Sequence, residues 1–283
     1  MKSKMLTRAK HKKPSDWIRF ILVWGSAAIT VGVLLFIAGF IIIRGVPHIT
    51  PSLFAINFTV ENQSLFPALV TTLIMVALTL IIAVPFGIST AIYLVEYAKR
   101  GSLVVRIIRM TTETLAGIPS IVFGLFGNIF FATWLGWGQS LLAGGFTLAL
   151  MVLPLVIRTT EESLKSIPDT YREGSFGLGA GKLRTVMRIT LPSAAPGIFA
   201  GVILAVGRIV GETAALMFTI GSVIQLPANL FSQGRTLALH VYQLAVTGMF
   251  TAQAYATAVI LLVVVLGINY LSSSVEHRFL KRR

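Results

Sequence analysis

Cysteine is absent from this 283-residue chain, and histidine occurs only four times. Without cysteine there is neither a disulfide framework nor a thiolate metal site. The histidines are His11, His48, His240 and His277, which are scattered and lack the spacing of metal ligands. The composition therefore predicts no metal centre and no disulfide-stabilised domain.

Charged residues are also scarce. They make up 12% of the chain, whereas soluble domains carry about a quarter. Hydrophobic residues make up 55%, and the mean hydropathy is +0.84. Six apolar runs reach the length of about 18 residues that a transmembrane helix needs. They cover residues 18–43, 67–95, 114–135, 140–157, 197–221 and 252–274. The sequence therefore predicts an all-α membrane protein with six transmembrane helices.

Basic residues outnumber acidic ones by 24 to 10. Nucleic-acid binding is not predicted, because no basic stripe interleaved with aromatic residues lies outside the ends of the spans. All but three of the 24 Lys and Arg residues fall in four clusters, at 2–19, 99–109, 158–188 and 278–283. By the positive-inside rule these clusters face the cytoplasm, together with both termini.

The same pattern predicts the division of the chain. A basic cytoplasmic tail at 1–17 precedes a transmembrane domain at 18–275, and a second basic tail follows at 276–283. Residues 158–196 form a long cytoplasmic loop between the fourth and fifth spans. At the cytoplasmic start of the third span, Arg109 and Glu113 are predicted to pair.

Two charged residues interrupt the fifth apolar run. Arg208 lies near its middle, and Glu212 follows four residues later. A charge at bilayer depth costs a few kcal/mol or more, so it is retained where it faces a bundle interior or a water-filled path and has a partner. On one continuous helix the two side chains would share a face. The pair predicts a helix that lines an anion path; a static salt bridge that holds helices together is the alternative.

The predicted cytoplasmic loop contains the sequence YREGSFGLGAGKLRTVMRITLPSAAPG at residues 171–197. Its GLGAGK is not a P-loop, because Phe176 stands where the first glycine is required and Leu183 replaces the hydroxyl residue after Lys182. The sequence therefore predicts no ATP site in this chain. A generic amphipathic loop on the membrane surface is one interpretation of the segment.

The same segment resembles the cytoplasmic signature of ABC importer permeases, E-A-A-x-x-x-G-x9-I-x-L-P. The matching residues are Glu173, Gly179, Ile189, Leu191 and Pro192, with Gly174 and Ser175 in place of the alanines. The resemblance implies the ABC importer permease fold, in which two short helices of this loop dock on an ATPase subunit. Gly179 would permit the tight turn between them. Pro192 and Pro196 would end the second helix.

A closer resemblance is to the phosphate permeases of that family. Three stretches carry it, VPFGISTAIYLVEYA, ETLAGIPSIVFGLFG and GRIVGETAAL, and with the loop they extend over residues 67–275. The resemblance implies a non-catalytic subunit of the prokaryotic inner membrane that forms half of a path for inorganic phosphate. It also implies three kinds of partner: a second permease subunit, an ATPase dimer that binds the ATP, and an extracytoplasmic phosphate-binding protein.

The residues leave the solute and the coupling open. An arriving phosphate would compete with Glu212 for the planar guanidinium of Arg208, which matches phosphate oxygens bidentately. Molybdate or sulfate would suit the same fork. A secondary transporter coupled to protons through Glu212 is a further alternative, and such a protein would need no cytoplasmic docking loop.

Overall fold

The computed structural model describes residues 14–99 and 101–281. These residues form helices joined by loops and contain no strand, so the predicted all-α fold is confirmed. The helices are α1 (Pro14–Gly45), α2 (Phe66–Ile92), α3 (Leu103–Ala116), α4 (Ser120–Gly127), α5 (Leu141–Lys165), α6 (Asp169–Gly177), α7 (Lys182–Thr185), α8 (Leu191–Val210), α9 (Ala214–Thr219), α10 (Leu237–Thr247) and α11 (Thr251–Lys281).

The predicted terminal tails lie partly outside the described residues, at 1–13 and 282–283. Within the described part, α1 already begins at Pro14 and α11 continues to Lys281. Helix therefore extends into both predicted tails.

Five helical segments are long and apolar enough to cross a membrane. They are Arg19–His48, Phe66–Tyr97, Leu141–Lys165, Lys182–Val210 and Thr251–Leu271. A sixth span exists if α3 and α4 are counted together, but these two helices meet at an angle of 105°. The span predicted over 114–135 is therefore interrupted near its start by a sharp bend. Pro119 has no backbone N–H and disfavours helical geometry at the residue before it, so the chain turns at Gly117–Pro119.

α5 is the central helix of the bundle. Of its most apolar 18 residues 67% are buried, whereas in α1 none are. Glycines bring the neighbouring helices close to α5: Gly87 of α2 faces Val156, and Gly201 of α8 faces Thr159. Small residues at helix contacts allow backbones to approach in a membrane, where the hydrophobic effect does not drive association. α1 packs on α11, with Gly45 against Tyr255, and leaves most of its surface exposed.

The two ends of the bundle differ. We call the end at which α6 and α7 lie the loop end, and the opposite end, where α10 begins, the far end. α2 and α5 run toward the loop end, and α8 returns from it. At the far end, the backbone N–H of Leu237 donates a 2.9 Å hydrogen bond to the Thr72 hydroxyl and so fixes the start of α10 on α2.

Candidate functional site

Arg208 lies in the last turn of α8, beside the middle of α5. The two helices are antiparallel, since Gly197 faces Ser163 and Gly201 faces Thr159. The same register carried onward brings Arg208 level with the central turns of α5, where it lines a cavity together with Met151. Arg208 is exposed, and no described residue forms an ion pair with it.

Glu212 does not share a helix with Arg208. α8 ends at Val210 and α9 begins at Ala214, so the predicted helix over 197–221 is in fact two helices. The Oε1 of Glu212 accepts a 3.0 Å hydrogen bond from the backbone N–H of Ala215. The predicted i,i+4 ion pair is therefore wrong. Gly211 is a poor helix former, and a carboxylate at the start of a helix satisfies an otherwise unpaired N–H group.

A second interrupted helix packs against the first. α4 begins directly after the turn at Pro119 and lies against α9. A Cβ on Gly124 would be only 2.8 Å from Cα of Ala215, so the two backbones are in contact. Interrupted helices inside a transporter expose backbone groups near the bilayer midplane, where substrates bind. Both breaks thus lie in the part of the bundle that contains Arg208.

The cavity that Arg208 lines has a volume of about 480 Å³ and is rich in charge. Its charged residues are Arg109, Glu113, Arg158, Glu161, Glu162, Lys165 and Arg208. Glu161 binds Arg109 at 2.7 Å and Lys165 at 2.6 Å, and Glu162 binds Arg158 at 3.1 Å. Because Arg109 pairs with Glu161, its predicted pairing with Glu113 is wrong. Among the basic residues of this wall, Arg208 is the one without a carboxylate partner in the described structure.

The segment after α5 forms a compact turn of two short helices. The chain reverses at Gly179, whose φ of +81° is a left-handed conformation that glycine adopts without strain. The hydroxyls of Ser175 and Thr185 lie 2.8 Å apart and join α6 to α7. The predicted tight turn at Gly179 therefore has the backbone geometry expected of it.

The second short helix does not end at the prolines, as the sequence analysis expected. α7 passes through a π-helical turn, Val186–Thr190, directly into α8. Pro192 follows directly after the π-helical turn, at the second residue of α8. Pro196 lies inside α8, so the loop and the fifth span are one continuous helical segment from Lys182 to Val210.

The residues of the loop signature differ in their exposure to solvent. Glu173, Gly174 and Gly179 are exposed, Ser175 is buried, and Ile189, Leu191 and Pro192 are half-buried where the loop joins the bundle. Large apolar side chains near the exposed Gly179 are also exposed, with Leu178 at 91% and Leu183 at 66%. The surface around the turn is thus apolar and uncovered, whereas Leu191 packs on Ala91 and Leu164.

An ion pair that the sequence analysis did not identify joins the loop to the second span. Nε and Nη2 of Arg172 donate to the same oxygen of Glu96, at 3.0 and 2.9 Å. The Arg172 side chain is 14% exposed and that of Glu96 is 6% exposed. Arg172 also donates to the backbone carbonyls of Leu164 and Ile167 at the end of α5. Glu96 and Arg172 lie 76 positions apart, and a single sequence offers no signal that pairs them.

One family pattern and several known proteins match this chain. The pattern described as "Binding-protein-dependent transport system inner membrane component" matches residues 83–280. The "Probable ABC transporter permease protein YqgI" of Bacillus subtilis is 33% identical, over 79% of this chain and 81% of its own length. The "Phosphate transport system permease protein PstA" of Haemophilus influenzae is 32% identical, over 95% of this chain and 96% of its own.

A solved structure gives the same picture of the fold. A chain in the crystal structure of a bacterial alginate ABC transporter matches with a TM-score of 0.71 at 16% identity, over 93% of this chain and 95% of that one. At this identity the likeness concerns the fold alone.

Proposed function

Because this chain belongs to the family of binding-protein-dependent transport system inner membrane components, we propose that it forms half of the transmembrane path of an ATP-driven importer of inorganic phosphate. Phosphate is supported by the H. influenzae relative, which is named for phosphate transport. It is also supported by one observation in the structure, namely an arginine without a carboxylate partner on a cavity wall in the middle of the bundle.

Arg208 is the residue that meets the solute in this proposal. A guanidinium presents N–H donors in a planar fork that matches two phosphate oxygens. Arg208 is exposed in this chain, and a second permease subunit would cover it. In the lower dielectric of the assembled path the contact would be stronger than in water. Since no described carboxylate neutralises Arg208, an arriving anion gains the full contact and does not first have to displace an acidic side chain.

The proposed role of Glu212 changes with the geometry. Competition between Glu212 and phosphate for Arg208 requires an ion pair between the two residues, and the described residues contain no such pair. Its carboxylate instead binds the first turn of α9. In this position Glu212 stabilises the helix break and leaves Arg208 available. It therefore serves the path by fixing the backbone around the site.

The turn of α6 and α7 is the proposed docking point for the ATPase dimer, with the signature residues from Glu173 to Pro192. Support comes from the uncovered apolar side chains of Leu178 and Leu183, since a monomeric soluble surface rarely exposes a large apolar patch without a partner. The continuous helix from Lys182 to Val210 gives a direct mechanical connection. Movement of the docked turn is carried along one rigid element to Arg208.

The remaining partners follow from the same reasoning. A second permease subunit would complete the path, and a PstC protein from Mesorhizobium japonicum is itself 31% identical to this chain. An extracytoplasmic phosphate-binding protein would deliver the ion at the far end, and ATP would be bound and hydrolysed by the separate ATPase. By the positive-inside rule, the basic clusters support a cytoplasmic location for the loop end and both termini in this proposal, in the inner membrane of a prokaryotic cell.

The experiment is phosphate uptake into proteoliposomes that contain the complete importer, with ATP inside and labelled phosphate on its binding protein outside. We expect uptake that requires ATP hydrolysis and is resistant to an uncoupler. Sulfate and molybdate, each supplied with its own binding protein, serve as competing solutes. Uptake that survives ATP depletion but not the uncoupler would contradict an ABC importer. Transport of sulfate or molybdate in place of phosphate would retain the mechanism and reject the ion.

A further inference from the structure

A second arginine without a carboxylate partner lies at the far end, in the segment between α9 and α10. Arg235 is half-buried, and burial lowers the pKa of its guanidinium to about 10. No described carboxylate pairs with it. Glu61, an acidic residue at the same end, is exposed and forms no ion pair with another described residue. Arg235 therefore carries a partly desolvated charge that this chain does not neutralise.

The guanidinium is held in place by neutral groups. Its Nη2 donates to the backbone carbonyl of Ser222, and its Nη1 lies 3.4 Å from Nδ1 of His240. The backbone two residues later is fixed on α2 through Leu237 and Thr72. The Nε of Arg235, however, is buried and has no hydrogen-bond partner among the described residues. One edge of the fork is thus oriented but unused.

The neighbouring histidine adds no negative charge. His240 is fully buried. Burial, and then the positive charge of Arg235, lower the pKa of the imidazole to about 4, so the ring is neutral at pH 7. With Nδ1 facing the guanidinium, its proton lies on Nε2. The surroundings of Arg235 are therefore neutral and contain an excess of donors.

A half-buried cation without a counter-ion has lost part of its hydration and is stabilised when an anion compensates it. A further buried atom nearby also lacks a partner among the described residues, Oγ1 of Thr71. Thr71 is close to this segment, because a Cβ on Gly234 would lie 3.3 Å from its hydroxyl oxygen. Unpaired donors on a fixed guanidinium match the requirements of a small tetrahedral oxyanion.

We propose that Arg235 is a second anion site, which receives phosphate at the far end of the bundle before the ion reaches Arg208. The proposal rests on the proposed phosphate import. The two arginines differ in role: Arg235 sets how readily the path is loaded, and Arg208 sets how fast the loaded ion crosses. Loss of Arg235 should therefore change the phosphate-loaded binding-protein concentration that gives half-maximal uptake, and should leave the maximal rate close to that of the wild type.

The test uses the complete importer in proteoliposomes and titrates phosphate-loaded binding protein. For Arg235→Gln we expect a rise of about tenfold in the half-saturating concentration, because the variant loses the charge-assisted hydrogen bonds to phosphate; tenfold corresponds to about 1.4 kcal/mol. Gln243→Ala is the matched control. This variant loses the 2.9 Å hydrogen bond from Gln243 to the Ser222 hydroxyl but no charge. Its half-saturating concentration should therefore equal that of the wild type.

Arg235→Lys covers the case in which the glutamine variant does not fold. It retains the charge but loses the fork, and a severalfold rise in the half-saturating concentration supports the proposal. An unchanged value in Arg235→Lys or in a folded Arg235→Gln would overturn it, as would an equal effect of Gln243→Ala. A wild-type importer that carries no phosphate would instead reject the proposed function, so the two failures are distinct.

Discussion

Replacing Glu96 by glutamine should destabilise the protein far more than replacing Asp169 by asparagine, although both carboxylates bind Arg172. Glu96 is 6% exposed and accepts two hydrogen bonds from the guanidinium. Asp169 accepts one at 2.9 Å and is 83% exposed. The two substitutions remove one negative charge each from the same arginine, and they differ in burial.

The expected magnitudes follow from that difference. Removing one partner of a buried ion pair costs about 3–5 kcal/mol, because the other charge stays buried without compensation. In Glu96→Gln the guanidinium still donates to the carbonyls of Leu164 and Ile167, so we expect the lower end, about 3 kcal/mol. An exposed pair contributes at most about 1 kcal/mol, which is the upper bound for Asp169→Asn.

The assay is unfolding of the purified chain in mixed micelles by titration with a denaturing detergent, followed by circular dichroism. The difference between the free energies of unfolding of the two variants should be about 2 kcal/mol or more. A third variant, Arg172→Lys, keeps the charge but loses the fork, and should fall between them. Equal free energies of unfolding for Glu96→Gln and Asp169→Asn would refute the reasoning, because burial would then not determine the contribution of the pair.

Two further predictions concern packing and docking. Gly124→Ala should lower the free energy of unfolding by about 1–3 kcal/mol, because the new Cβ would lie 2.8 Å from Cα of Ala215. Gly207→Ala is the control: its new Cβ would have no heavy atom within 4 Å, so the variant should be as stable as the wild type or more stable. Equal losses of stability in the two variants would contradict the close contact of α4 and α9. Leu178→Asp should change the free energy of unfolding by no more than about 0.5 kcal/mol, as surface substitutions do, but should prevent co-purification of the ATPase subunit. Leu178→Met is the control and should still co-purify with that subunit. Co-purification of the aspartate variant would show that the turn is not the docking point.

Hydropathy and the loop signature were sufficient for the overall fold, because long apolar runs have few alternatives to transmembrane helices and a glycine at a fixed place in a signature implies a particular turn. The two helix breaks were not predictable in this way. Residues 209–216 are nearly all apolar or small, so a hydropathy window averages over the interruption after Val210. Gly211 and Pro119 are local signals for those breaks, but transmembrane helices also tolerate both residue types.

The geometry predicted around Arg208 and Glu212 differs from that of the structure. The spacing of Arg208 and Glu212 predicts a shared face only if the helix continues between them. Once it ends at Val210, the carboxylate serves α9 and the guanidinium lies on the cavity wall alone. The Glu96–Arg172 pair, by contrast, joins two apparently unrelated charged residues, and only the packing of the loop against the second span brings them together.

Maximal phosphate uptake by importers with Arg208 replaced tests the central claim most directly. Arg44→Gln is the control, since Arg44 is exposed at the far end of α1 and lies over the ring of Phe40. At matched amounts of folded complex, Arg208→Gln should lower the maximal rate at least about tenfold, and Arg208→Lys should retain part of it, while Arg44→Gln should match the wild type. A near-wild-type maximal rate in both Arg208 variants would contradict the account.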